Sequence, residues 1–105
     1  MDLSDLLAKV KANLILDHDE DDELLTNYIT AAVSYAESYQ HVGDGYYDSA
    51  EMSAATEQAV VMLTSHFYES RDGSTAGFFA DSAGAAAQVW SAAERLLRMD
   101  RTWKV

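Results

Sequence analysis

The chain has 105 residues, 49% of them hydrophobic, with 18 acidic against 7 basic side chains and a net charge of −11. That length suits one domain whose core needs no metal or disulfide to hold it. Cysteine is absent, which excludes disulfide scaffolds, thiolate metal sites and cysteine nucleophiles together.

There is no proline, and the apolar spacing is helical throughout. The fold expected is all-α: a small bundle of about four helices with little or no sheet. The first helix covers about residues 3–13, where Leu3, Leu6, Leu7, Val10 and Leu14 share one face. Asp2 is its candidate cap, with Asp5 three positions on. The second covers about residues 20–42, with Leu25, Ile29, Ala32, Ala36 and Tyr39 as its main stripe and Tyr28 and Tyr35 beside it. Gly43 and Gly45 are expected to end it, and HVGDGYYDSAE reads as a loop. The third covers about residues 54–70 behind a Ser53 cap, with Val60, Leu63 and Phe67 inward and Ala59 and Met62 widening the stripe. After the loop DGSTAGFFAD, a fourth covers about residues 83–99 with Ala86, Val89, Trp90, Ala93, Leu96 and Leu97 on one face. No apolar run approaches the ~20 residues of a membrane span. The N-terminus lacks the layout of a secretion signal, so a protein made and used in the cytosol, or assembled there, with no membrane partner, is expected.

Charge is unevenly placed. Residues 1–70 hold fourteen Asp/Glu against Lys9 and Lys11, whereas residues 71–105 hold four acids against five cations. Such a surface repels nucleic acid, because duplex affinity rests on cations that neutralise phosphates. Six of the seven residues from Asp17 to Glu23 are acidic, broken only by His18. As a helix start the block places Asp19 as cap and Glu20 to Glu23 at the positive end of the dipole. As a calcium loop it fails: counted from Asp17, Asp22 replaces the required glycine and Tyr28 the required glutamate. Neighbouring helical residues diverge by ~100°, so these carboxylates do not converge on one substrate atom. His18, His41 and His66 lack metal-ligand spacing, and no serine sits in a nucleophile elbow. No catalytic residue, cofactor or metal site is expected.

Two features point to a partner surface. Phe78 and Phe79 lie together in a loop, either tucked under the bundle or meeting a neighbouring subunit. Arg95, Arg98 and Arg101 recur every three residues, followed by Trp103. They read either as interface anchors or as cations at the negative end of a helix dipole.

The string LILDHDEDDELLTNYITAA resembles the acidic signature of the phage gp6-like head–tail connector family. Leu14, Asp17, His18, Asp19, Asp21, Asp22, Leu24 and Leu25 match, and Ile29, Ala31 and Ala32 continue the match. The opening DLLAKVKANL is similar to the family's Leu- and Lys-rich first helix. AVVMLTSHFYESR is similar to its "AVLLLVAHLYENR" helix, bringing Ala59, Val60, Leu63, His66, Tyr68, Glu69 and Arg71 into place. Leu96 and Leu97 with Arg98 or Arg101 match a "LL–R" end. The loop before the last helix departs from the family in lacking proline.

The resemblance implies a structural virion protein that forms a homo-oligomeric ring under the portal protein, assembled in the host bacterial cytoplasm. It implies that DNA passes through the ring without specific binding, and that a downstream head-completion or tail-joining protein docks on it. On that footing the acidic start of helix two faces either the lumen or the cationic flank of the next subunit, and the Arg/Trp tail docks on the portal. The rival reading is an acidic helical interaction protein, such as a DNA-mimic inhibitor. The charge suits it, but six acids in one short block do not form an extended acidic face.

Overall fold

The computed structural model describes residues 1–70 and 83–101. Among these residues there are five helices and no strand: α1 (Leu3–Leu14), α2 (Asp22–Gln40), α3 (Tyr46–Ser49), α4 (Ala54–Ser70) and α5 (Ala83–Arg98). The four long helices are those expected from the apolar spacing. α3 is a correction, since HVGDGYYDSAE is not all loop. Its cause is Glu37, whose carboxylate accepts from the N–H groups of Gly45 (3.1 Å) and Tyr47 (2.9 Å). That anion takes up donors which a helix start leaves free, and Tyr47 closes over the core.

α4 is the central helix and packs against α5, α2 and α1. Ala59, Val60 and Leu63 are fully buried, as the apolar stripe requires. Burial goes further round the helix than the stripe, taking in Thr56, Val61, Thr64, Ser65 and Tyr68, because neighbours cover three sides. Phe67, expected inward, is only half-buried. The core also contains Leu6, Val10, Leu25, Ile29, Ala32, Ala36, Ala93 and Leu97. Each fully buried Leu or Val contributes on the order of 1.5–3 kcal/mol.

α1 and α4 start as their sequences indicate. Asp2 accepts from the Asp5 N–H at 3.2 Å, and Ser53 Oγ accepts from the Thr56 N–H at 3.1 Å. α2 does not. Its cap is Asp21, not Asp19, and the Asp21 side chain makes no capping bond because it is used elsewhere. The far end of α2 is a second correction. His41, at φ 60°, takes the left-handed position expected of glycine, and the Val42 N–H reaches back to the Glu37 carbonyl at 3.2 Å. Gly43 and Gly45, also at positive φ, shape the turn that follows. α1 ends the same way on Ile15 (φ 58°, ψ 47°), with the Leu16 N–H on the Lys11 carbonyl at 2.9 Å.

The C-terminal ends of α2 and α5 meet the start of α4 through a polar network inside the core. Gln40 is fully buried; its amide nitrogen donates to Thr56 Oγ1 (2.8 Å) and the Leu97 carbonyl (3.0 Å). Its oxygen accepts from the Tyr47 hydroxyl at 2.5 Å. Thr56 in turn donates to Asp100 at 2.7 Å, and Ser53 donates to the same carboxylate. Four helices therefore share one satisfied cluster.

Two stability outcomes follow. Gln40→Leu keeps the volume but removes the acceptor of the Tyr47 hydroxyl and one of the two donors to the Leu97 carbonyl, whose other is the Asp100 N–H, and a loss of about 1–3 kcal/mol is expected in urea unfolding. Ile15→Asn relieves a β-branched residue of a left-handed backbone that costs it about 1–2 kcal/mol, so a gain of ~0.5–1 kcal/mol is expected by the same measurement.

Candidate interaction site

The acidic block wraps the junction of α1 and α2, and its carboxylates face different ways. Lys11, at the end of α1, donates to Asp19 at 2.6 Å and to Asp22 at 2.8 Å. Asp21 accepts from the Tyr68 hydroxyl at the end of α4. Asp17, His18 and Glu20 are exposed. The two segments that carry the family resemblance thus touch through Asp21 and Tyr68, while Glu69 is exposed. A second clamp lies on the middle of α1, where Lys9 joins Asp5 (3.0 Å) and Glu57 (2.5 Å). Among the described residues no group of three acids, histidines or cysteines is placed to hold a metal ion.

The cations occupy the other end of α2. Arg95 and Arg98 are exposed on the last turn of α5. The Arg98 guanidinium donates to the Tyr39 hydroxyl at 3.4 Å, and Arg101 lies over the Tyr39 ring at 5.1 Å, with His41 Nε2 at 3.4 Å. Arg101 is thus partly absorbed by its own chain, as a cation–π pair. Arg71, Phe78, Phe79 and Trp103 lie outside the described residues.

Between the two ends runs a row of half-buried aromatic rings, each of them on or beside one of the helical stripes. Tyr28 meets Phe67 at 6.0 Å, Phe67 meets Trp90 at 5.9 Å, Trp90 meets Tyr35 edge-on at 5.0 Å, and Tyr35 stacks with Tyr39 at 6.2 Å. His66 packs edge-on against Trp90 as a structural side chain. Tyr35 donates to Glu94 at 2.7 Å. Burial first, and then that carboxylate, push its phenol up to about 12. The row seats α5 on α2 and α4, and each such ring pair adds about 0.5–1.5 kcal/mol.

Lys11 holds the Asp19 carboxyl below the usual carboxylate range, chiefly by hydrogen bonding and then by attraction. Bonding to Asp19 and then Asp22 raises the Lys11 ammonium above its ordinary value. For Asp19, whose folded pKa is depressed, the stabilisation is present above the unfolded value and lost as pH falls through the folded one. For Lys11, whose folded pKa is raised, it is present below the unfolded value and lost as pH rises through the folded one. The clamp is therefore intact through the neutral range. Lys11→Met is expected to flatten the fall in melting temperature on acidification below ~3.9, as read by circular dichroism across a pH series. Tyr68→Phe removes a hydrogen bond to a carboxylate and is expected to cost about 1–2 kcal/mol in urea unfolding.

The sequence model of the phage gp6-like head-tail connector protein family matches residues 4–84, from the second residue of α1 through α4 to the start of α5. No curated protein and no solved structure matches the chain. No helix among the described residues is long and apolar enough to cross a membrane. With a match over most of its length, joined in space by the Tyr68–Asp21 contact, the chain belongs to the phage gp6-like head–tail connector family.

Proposed function

We propose that this protein is a structural part of a tailed-phage or prophage virion that forms an adaptor ring beneath the portal protein. The ring extends the DNA channel and presents a platform to a downstream head-completion or tail-joining protein. The observation that carries this reading is the family match over residues 4–84. It favours a structural, non-catalytic role over the DNA-mimic inhibitor.

The physical properties suit the role. DNA must move past such a ring without adhering, and a chain of net charge −11 repels phosphates. A ring also needs two unlike patches on each subunit, because head-to-tail contacts close only between different surfaces. The acids at the α1–α2 junction and the cations at the end of α5 are such a pair, so the acidic start of α2 meets the cationic flank of the next copy. The tail from Arg101 to Trp103 then reaches the portal, since Arg and Trp are residues that anchor interfaces. The subunits assemble in the host bacterial cytoplasm and act at the head–tail junction of the virion.

Deleting the gene tests the role in its own phage. Filled heads and free tails that fail to join, rescued by the wild-type chain supplied in trans, are the expected result. Normal joined particles from the deletion strain would overturn the proposal.

A further inference from the structure

Among the described residues the two most exposed large apolar side chains are Ile15, at 90%, and Met99, at 74%. Neither belongs to the core or packs against it. Ile15 is held outward by a left-handed backbone that disfavours a β-branched residue, so within one molecule it costs stability and contributes no packing. Each of the two sits in a charged setting of opposite sign. Ile15 is followed by exposed Asp17, His18, Asp19 and Glu20. Met99 follows exposed Arg95 and Arg98, and its neighbour Asp100 is turned away to Ser53 and Thr56.

α2 separates the two patches. Lys11 and Tyr68 fasten the first to its start, and the Gln40 bond to the Leu97 carbonyl fastens the second to its end. Nineteen residues of helix, at 1.5 Å each, put them roughly 28 Å apart. They do not meet within one chain, and each is the chemical complement of the other: an apolar knob in an acidic rim, and an apolar patch in a cationic rim.

We infer that the occupant of the Ile15 patch is the Met99 patch of a second copy of this chain. Ile15 and Met99 form the apolar centre of the contact, and Asp17 and Glu20 face Arg95 and Arg98 at its rim. Its head-to-tail order rests on the ring reading above; the pairing itself rests on the two patches. Rim charges set partner choice and orientation, and the buried apolar centre holds the contact.

The chain has no cysteine, so directed cross-linking has a clean background. Ile15→Cys and Met99→Cys proteins, each checked for wild-type helicity, are mixed in equal amounts and treated with a bifunctional maleimide too short to span α2. The mixed dimer is expected to dominate over both like-with-like dimers, and the doubly substituted chain is expected to give a ladder beyond dimer. No cross-link, or the three dimers in statistical proportion, would overturn the pairing; a doubly substituted product that stops at dimer would overturn the head-to-tail order. Charge exchange gives a second reading. Asp17→Lys with Glu20→Lys, or Arg95→Glu with Arg98→Glu, is expected to abolish cross-linking when present in all copies. Mixing the two exchanged sets, with Ile15→Cys on the acid-reversed chain and Met99→Cys on the arginine-reversed chain, is expected to restore it, and failure to do so would remove the rim from the contact. A ladder from a protein that does not bind the portal would keep this contact and remove the adaptor reading, whereas portal binding without directed cross-linking would do the reverse.

Discussion

The structure depends on one buried amide. Gln40 is fully enclosed at the last turn of α2, and its hydrogen bonds reach the start of α4, the end of α5 and the hydroxyl of Tyr47 in α3. A buried polar group without partners is costly, so this cluster tolerates few arrangements other than the one in which every member is paired. It fixes where α5 ends, and hence where Arg95, Arg98 and Met99 are presented. At the other end of α2, Tyr68 holds Asp21 and Lys11 holds Asp22. α2 is thus a strut fastened at both ends, and the two charged patches are held apart by its length.

The charge pattern is better understood as orientation than as stability. Exposed ion pairs such as Lys9 with Asp5 contribute little, because solvent and salt screen them. The stabilising work falls to the apolar faces around α4 and to the aromatic row beneath α5. The acids that remain exposed around Ile15 add little to the fold but give one end of the molecule a sign. The arginines give the other end the opposite sign. A small domain with unlike ends is suited to repetition around an axis, and its net negative charge is suited to a surface past which DNA moves.

Much of the fold was legible because helical stripes and caps act locally. Leu25, Ile29, Ala32 and Ala36 recur at helical spacing and are all fully buried, and Asp2 and Ser53 cap the helices they precede. What escaped was non-local. Gln40 lies four residues past Ala36, in register with the stripe, but a lone glutamine does not announce partners 16 and 57 positions away. α3 exists because Glu37 reaches it from α2, and nothing inside HVGDGYYDSAE signals that. Asp19 has a capping residue's identity, yet Lys11 claims its carboxylate and Asp21 takes the cap position. His41 ends α2 although two glycines follow close behind. The candidate site divides in the same way: the acid block and the arginine repeat are visible in one dimension, but their separation along α2, and Ile15 and Met99 as their apolar centres, require the fold.

Under the proposed function, these ends serve a ring seated on a portal. The measurement that tests this most directly is particle imaging, with native mass, of the full chain mixed with the assembled portal protein from the same genome. A second, stoichiometric ring of this chain on one face of the portal is the expected result. Two folded proteins that remain separate under those conditions would contradict it, and would return the acidic surface to a role outside the virion.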